Sequence, residues 1–318
     1  MTTFSTQMLV LGALMLAGTG CASVPVATGR IGIDPFAGTS ATPERTDCVL
    51  TRRGAVPFTV ASLILVEARI NGGRATLVLD TGAERSILGP DAAKRLGVTS
   101  RYDFDRSLSG IGNTIRTGDA RLQSLTVGEV AFSDPRILVG PIGPMGADGL
   151  LGADLLGEFD LDLDGPGRQL TFYDRVQCAS LRPPWPGRFV TLETTRSLDR
   201  HPFFPVTIDG HELSATIDTG AQRTAMSAAF AARAGVSVAA LASDPVAVTR
   251  GVGGETLRAA IHQFRTFSIG GDAFRGPVLV VPGIALPRES GIVIGLDYLL
   301  PRRMWLSYGS RRIFITPG

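Results

Sequence analysis

The sequence contains almost no lysine and little histidine. Of its 31 basic residues only Lys94 is a lysine, and it lies in no phosphate-binding or Schiff-base motif. The three histidines form no His-Glu-x-x-His motif, and no Gly-x-Ser-x-Gly elbow is present. These absences argue against lysine chemistry, zinc hydrolysis and serine hydrolysis, and we predict neither a metal nor another cofactor.

The chain also lacks a strong charge of either sign. Its formal net charge is +2, so there is no electrostatic reason to expect a nucleic-acid partner, and we predict none. Hydrophobic residues make up 44% of the chain, which excludes a mostly disordered protein. With 318 residues the chain exceeds the ~100 to 200 residues of a typical domain, which indicates two compact units.

The apolar run near the N-terminus is short. Met8 to Gly18 has about a dozen residues, whereas a helix that crosses a bilayer needs about 20. The length suits the apolar region of a secretory signal. The residues that follow, up to Cys21, look like a bacterial lipoprotein cleavage box, in which a small residue precedes a cysteine that is then acylated.

We therefore expect a signal peptide of the lipoprotein type over residues 1–20, lipidation at Cys21 and a flexible tether over residues 21–56. The expected location is the periplasmic side of a bacterial membrane, with the lipid as the only membrane contact. Cleavage at an ordinary signal-peptidase site nearby, or a short uncleaved anchor, are the alternatives.

Cysteine is scarce. Without Cys21, the remaining Cys48 and Cys178 form an even pair in a compartment that permits disulfides. A disulfide between them would tie the N-terminal extension to the end of the first half. Two unpaired buried thiols are the alternative, because the sequence cannot show the geometry.

An internal repeat covers most of the remaining chain. Residues 70–86 align without a gap on residues 208–224, at an offset of 138. Later in each copy, residues 150–156 correspond to residues 293–299, at an offset of 143 after small insertions. The chain thus contains two copies of one structural unit.

Local signals indicate mainly β halves with short helices. Asn71-Gly72 and Asp209-Gly210 are hairpin-turn dipeptides between β-rich runs. Short helices are predicted over residues 90–96 and 227–234, each ended by a glycine. The domains are predicted over residues 57–178 and 189–318, with a proline-rich connector over residues 179–188.

Each repeat contains an Asp-Thr-Gly-Ala turn after an aliphatic run, and an apolar pair with glycine follows much later. The first turn is Asp80-Thr81-Gly82-Ala83 and the second is Asp218-Thr219-Gly220-Ala221. This pattern resembles the retropepsin-like aspartic peptidases over roughly residues 57–318. The resemblance implies two β-barrel domains related by a pseudo-twofold axis, joined in one chain that acts as a monomer on a peptide or protein substrate.

The chemistry of such a turn can be argued from the residues. Two carboxylates, Asp80 and Asp218, brought together across a seam cannot both ionise readily, so they share a proton and can act as base and acid on one water. The resemblance implies that Thr81 and Thr219 brace the seam, and Gly82 and Gly220 allow close approach. Ala83 and Ala221 lack the hydroxyl donor of pepsin-like relatives, which predicts a mildly acidic to near-neutral optimum.

Glycine-rich segments stand where retropepsins have the flap that closes over the substrate. One in each half predicts two flaps; ordinary hairpin turns are the alternative. The expected flap residues are Gly110, Ile111, Gly112, Gly251, Val252 and Gly253.

Four further charged residues recur in both copies. We interpret Asp154 and Asp297 as caps of the next short helix and not as catalytic acids. Arg85 and Arg223 could orient the active-site turn or remain solvated. The sequence predicts an aspartic endopeptidase, and a peptidase with one narrow substrate would have the same sequence features. An exported peptide-binding or scaffolding lipoprotein without peptidase activity is the alternative of a different class.

Overall fold

A computed structural model describes residues 8–9, 15–16, 48–109, 114–196, 201–251, 253–283 and 291–318 of the chain. The predicted lipidation site Cys21, most of the predicted signal peptide and most of the tether lie outside these residues. The described part is mainly β with five short helices, as predicted.

The strands and helices run through the chain in the following order. The N-terminal part contains β1 Met8–Leu9, β2 Met15–Leu16, β3 Arg52–Val60, β4 Ile64–Ile70, β5 Gly73–Leu79, β6 Ile87–Leu88, α1 Pro90–Arg95, β7 Arg101–Ser109, β8 Thr114–Arg121, β9 Leu125–Val127, β10 Val130–Phe132, β11 Arg136–Val139, β12 Gly149–Leu151, α2 Ala153–Leu156, β13 Phe159–Asp164 and β14 Gln169–Asp174. The C-terminal part contains β15 Val190–Glu193, β16 Thr195–Arg196, β17 Pro202–Ile208, β18 His211–Ile217, β19 Ala225–Met226, α3 Ala228–Arg233, α4 Val238–Ser243, β20 Val246–Arg250, β21 Thr256–Gln263, β22 Thr266–Ile269, β23 Asp272–Arg275, β24 Val278–Pro282, β25 Ile292–Ile294, α5 Leu296–Leu299, β26 Arg303–Ser307 and β27 Arg312–Ile315.

The sequence repeat is also a repeat of strand order. In the first half the neighbours are β8-β11-β6-β12-β5-β4, and in the second half they are β21-β24-β19-β25-β18-β17. In each half the strand before the Asp-Thr-Gly turn pairs in parallel with the strand of the late apolar pair. The turn therefore leaves the sheet at the same place in both halves.

The two predicted hairpins and the two predicted helices, α1 and α3, occur where the sequence predicts them. Asn71 and Asp209 have φ values of 50° and 48°, and the glycine after each is also left-handed, which is the two-residue turn that suits a twisted hairpin. The Ser227 hydroxyl accepts from the Phe230 N–H at 3.3 Å and caps α3. Gly89 occupies the corresponding cap position of α1 without a side-chain bond.

Strands of both halves join in one sheet beneath the seam. Its order is β3-β14-β13-β26-β27-β15, so three strands come from each half and β13 pairs with β26 at the centre. Across this junction the Arg303 guanidinium donates to both oxygens of the buried Asp162, at 2.9 and 2.7 Å. This bidentate pair fixes the second half against the first at the base of the molecule.

The connector packs on this sheet. Leu181 and Trp185 are buried against Trp305 and Phe314, and the Trp185 Nε1–H donates to Asp162 at 3.2 Å. Beside this cluster the Cys48 and Cys178 sulfur atoms are bonded in a disulfide. The proline-rich segment is thus a packed part of the fold.

The folded chain begins before the predicted boundary of the tether. We predicted a flexible segment up to residue 56, but Cys48 is buried and β3 begins at Arg52. The extension is ordered there because β3 pairs with β14 and because the disulfide holds the preceding residues. Sequence patterning missed this because the first residues of β3 are exposed and show little hydrophobic alternation.

In the described ranges no helix has the length and apolarity needed to cross a membrane.

Candidate active site

Asp80 and Asp218 stand at matching ends of β5 and β18, and both side chains are fully buried. The Asp80 N–H donates to the Leu151 carbonyl at 3.0 Å, and the Asp218 N–H donates to the Ile294 carbonyl at 3.0 Å. These bonds attach each turn to the late apolar strand of its own half. The distant sequence segments of the repeat therefore meet at the turn.

Backbone N–H groups orient one oxygen of each carboxylate. Asp80 Oδ1 accepts from Gly82 at 3.0 Å and from Ala83 at 2.9 Å, and Asp218 Oδ1 accepts from Gly220 at 2.7 Å. Apart from the interaction between the two carboxyl groups, the Oδ2 atoms accept no hydrogen bond from the described part of the chain. One face of the pair is thus fixed and the other is available for chemistry.

Thr81 and Thr219 brace the seam reciprocally. Each backbone N–H donates to the hydroxyl of the other threonine, at 3.0 and 3.1 Å. The Thr81 hydroxyl donates to the Ile217 carbonyl at 3.2 Å, and the Thr219 hydroxyl donates to the Leu79 carbonyl at 2.7 Å. All four groups are buried, so the brace holds the two turns in a fixed relation.

The glycines of the two turns allow the carboxylates to meet. A methyl group on Gly82 would lie 2.5 Å from both Asp218 oxygens, and one on Gly220 would lie 2.5 and 2.6 Å from those of Asp80. No side chain fits at these distances. Each carboxylate therefore packs on the backbone of the opposite turn, as the symmetry of the two motifs predicts.

Burial raises the pKa of both aspartates. The pKa of Asp80 is raised well above its ordinary value by desolvation and then by the negative charge of Asp218. Desolvation likewise raises the pKa of Asp218, against the opposing effect of the N–H groups that bind its charged form. The arrangement favours one proton shared between two carboxyl groups.

Asp154 and Asp297 bind residues that follow the active-site turns. Our interpretation of them as helix caps is therefore wrong about their main hydrogen-bond partners. The N-cap positions of α2 and α5 are glycines, and each aspartate is the second residue of its helix. Asp154 Oδ1 accepts from the Ser86 N–H at 2.8 Å and from the Ser86 hydroxyl at 2.7 Å. Asp297 Oδ1 accepts from the N–H and hydroxyl of Thr224 at 2.9 and 2.8 Å.

Sequence reasoning missed Ser86 and Thr224. Each hydroxyl also accepts from the N–H of the glycine in the late apolar motif, Gly152 at 2.9 Å and Gly295 at 3.2 Å. The signal was present, since a hydroxyl residue recurs six positions after each active-site aspartate. Its partner is 68 or 73 residues away and could not be identified from local spacing.

The structure separates the two arginines whose roles the sequence left open. The Arg85 Nε donates to Asp154 Oδ2 at 3.1 Å, and its guanidinium lies 3.7 Å from Asp119 on β8. Arg223 is exposed, and among the described residues it forms no hydrogen bond or ion pair. Its charge still lowers the pKa of Asp297 slightly against the dominant effect of burial. One arginine orients its turn and the other remains in solvent.

The glycine-rich segments join antiparallel strands in both halves, β7 to β8 and β20 to β21. Gly110, Ile111, Gly112 and Val252 lie outside the described residues. Gly251 is buried and its N–H donates to the Glu255 carbonyl at 2.9 Å, while Gly253 is half-buried. Next to them, Gly254 has a φ of 85° and lies against Gly143 of the first half. The second hairpin therefore reaches across the seam.

Comparison with known proteins gives a family match in both halves. A family model described as aspartyl protease matches residues 66–155 and 204–298, which together are more than half of the chain. No curated protein matches the sequence. The two matched segments contain the two Asp-Thr-Gly turns and end within the short helices that carry Asp154 and Asp297.

A comparison of structures finds the same fold. The aspartic proteinase from Irpex lacteus is similar, with a TM-score of 0.52 and 14% sequence identity. The match covers 84% of this chain and 97% of that protein. The resemblance therefore extends through both halves and the sheet that joins them.

Proposed function

The chain belongs to the aspartyl protease family, and from this we propose that it is an aspartic endopeptidase that hydrolyses peptide bonds with a water held between Asp80 and Asp218. The observation that supports the proposal most strongly is the pair of buried carboxylates, fixed on one side by backbone N–H groups and braced by Thr81 and Thr219. A protein that only binds peptides has no evident need for this protonatable pair.

In the proposed reaction the ionised carboxylate takes a proton from the water, whose oxygen forms a bond to the peptide carbonyl carbon. The protonated carboxyl group donates its proton to the carbonyl oxygen, which gives a neutral tetrahedral intermediate. The carbon–nitrogen bond then breaks as one carboxyl group donates a proton to the amine nitrogen and the other takes a proton from a hydroxyl of the intermediate, which releases the acid and the amine and restores the singly protonated pair. The raised pKa of the buried pair supports this mechanism, since one shared proton is the starting state that it needs.

Cleavage of a diverse peptide library between about pH 3 and pH 8 tests this proposal. Asp80→Asn and Asp218→Asn should each abolish cleavage, because each leaves one carboxyl group without its partner. Asp91→Asn is a matched control, since Asp91 is exposed at the start of α1. Cleavage that persists in both dyad variants would refute the mechanism, and a folded wild-type protein that cleaves nothing would favour the peptide-binding alternative or a peptidase with one narrow substrate.

We also propose that the protein is exported and lipid-anchored at Cys21, facing the periplasm. The bond between Cys48 and Cys178 supports export, because disulfides persist in oxidising compartments and are rare in the cytosol. Radiolabelled palmitate should enter the wild-type protein and not a Cys21→Ala variant. Labelling of both, or of neither, would contradict the lipid anchor.

A further inference from the structure

The two halves carry an arginine at the same position after the active-site aspartate, but only one of these charges is neutralised. Arg85 is 19% exposed and lies between two carboxylates, those of Asp154 and Asp119. Arg223 is exposed and has no ion pair in the described part of the chain, although Asp297 corresponds to Asp154. The second half thus has an unpaired cation five residues after Asp218.

One side chain on the hairpin strand differs between the two halves at this place. Asp119 on β8 lies opposite Leu138 on β11, and Ile261 on β21 lies opposite Val280 on β24. Because β11 and β24 occupy equivalent places in the repeated strand order, Asp119 and Ile261 are structural counterparts. An isoleucine stands where the first half has the second carboxylate.

The position of Arg223 is suitable for contact with a bound peptide. Five residues of extended chain span at most ~17 Å, and this limit places the Arg223 backbone near the dyad. Its counterpart Arg85 reaches from the active-site turn to Asp119 on the hairpin strand β8. Arg223 is on the equivalent turn, its side chain is exposed, and no carboxylate of the described residues lies within ion-pair distance of its guanidinium.

We propose that Arg223 is a specificity residue that binds a carboxylate side chain of the peptide substrate, on the side of the cleft formed by the second half. The inference rests on the proposed peptidase function and adds a substrate class to it, peptides with Asp or Glu a few residues from the scissile bond. A guanidinium forms two parallel hydrogen bonds with a carboxylate, which an amide of the same shape cannot match. Arg85 cannot serve the same purpose, because its charge is already balanced.

Matched peptides that differ only in Glu against Gln, at each position on either side of the cleaved bond, test the proposal in the full chain. The wild-type protein should prefer Glu by about two- to fivefold in kcat/KM at one position, and Arg223→Gln should remove the preference. Arg223→Lys should retain part of it, since the charge remains without the planar fork. The preference should also weaken as salt is added.

Exchange of the two counterpart residues provides a second and independent test. Ile261→Asp should give Arg223 the carboxylate partner that Arg85 has, and so abolish the preference without removal of the arginine. Asp119→Ile leaves Arg85 bound to Asp154 at 3.1 Å and should create no new preference, so it is the matched control. An unchanged Glu to Gln ratio in both Arg223→Gln and Ile261→Asp would overturn the proposal.

Failure of this inference can be distinguished from failure of the proposed function. Cleavage that depends on Asp80 and Asp218 but shows no preference for Glu would refute the role of Arg223 and leave the peptidase intact. If no peptide is cleaved, binding of the same Glu and Gln peptides to the protein can be measured by fluorescence anisotropy. Equal affinities for the two peptides would then refute the role of Arg223 in binding as well.

Discussion

The two halves of the molecule hold the same aspartate in the same turn but support that turn with different side chains. In both halves an aspartate of the following short helix binds a hydroxyl residue after the turn. The first half adds the Arg85 bridge to β8, and the second half has no such bridge in the described residues. The shared contacts are those that position the dyad, and the contacts that differ lie farther from it.

A second difference concerns the helix after each turn. In the first half Arg95 of α1 pairs with Asp148 at 2.5 Å, and Asp148 also accepts from the Thr76 N–H at 2.9 Å. In the second half the position of Asp148 is Gly291, and the ring of Phe230 packs directly on it. An ion pair and an aromatic contact therefore attach equivalent helices. The two halves thus share the geometry of the dyad, while their peripheries use unrelated chemistry.

Replacement of the turn glycines should have the largest effect on activity, and it tests whether the two active-site turns are equivalent. Gly82→Ala and Gly220→Ala should each reduce kcat/KM by about a hundredfold or more, because the new methyl group overlaps the opposite carboxylate. Gly89→Ala is a control, since its methyl group would meet nothing closer than 3.5 Å. The measurement is steady-state cleavage of a library-derived peptide. A large loss in one half only would show that the two turns are not equivalent.

The threonine brace should be the next most sensitive feature. Thr81→Val and Thr219→Val each leave a buried N–H and a buried carbonyl without a partner, at a cost of about 2–4 kcal/mol. Since the contacts are reciprocal, the two costs should agree to within about 1 kcal/mol. Urea denaturation measures them. A double variant that costs less than the sum of the single variants would confirm that they act on one network.

Replacement of Asp154 and of Asp297 should change the free energy of unfolding by different amounts. Asp154→Asn places an amide against Arg85 and should reduce the free energy of unfolding by about 1–3 kcal/mol. Asp297→Asn keeps the acceptor for Thr224 and breaks no ion pair among the described residues, so its cost should stay under about 1 kcal/mol. The same denaturation experiment compares them. Equal losses would mean that the Arg85 bridge contributes nothing to stability.

The smallest effect concerns pH. Because the folded-state pKa values of Asp80 and Asp218 lie above the unfolded value of about 3.9, the folded protein binds more protons, and stability falls as pH rises from about 4 towards the folded-state pKa. Asp218→Asn should therefore raise Tm by a few degrees near pH 7 and change it little near pH 4. The raised pKa also predicts an activity optimum nearer neutral pH than pH 2.

Thermal scans of the wild-type protein, Asp218→Asn and Asp91→Asn at both pH values check the effect on stability. An equal shift at the two pH values would show that the effect does not arise from titration of the dyad. A pH–rate profile that peaks near pH 2 would contradict the raised pKa.

Much of the fold could be predicted because the chain contains two copies of one sequence pattern, which can be compared with each other. A single Asp-Thr-Gly turn carries little information, but two in register, each after an aliphatic strand and before a late apolar pair with glycine, predict two like halves. The hairpins at Asn71 and Asp209 followed from local turn chemistry. The start of β3 could not be predicted in this way, because its pairing with β14 joins residues more than a hundred positions apart.

The two active-site turns, their order in the chain and the glycines that let the carboxylates approach could be predicted from the amino-acid sequence, because they depend on short motifs with local conformational rules. The side chains that support each turn could be identified only from the folded structure. Asp154 binds Ser86, and Arg85 reaches Asp119, because strands distant in sequence become neighbours in the sheet. For the same reason the difference between Arg85 and Arg223 could not be predicted from the aligned repeats, since the partners of Arg85, Asp154 and Asp119, come from elements that local spacing does not connect to it.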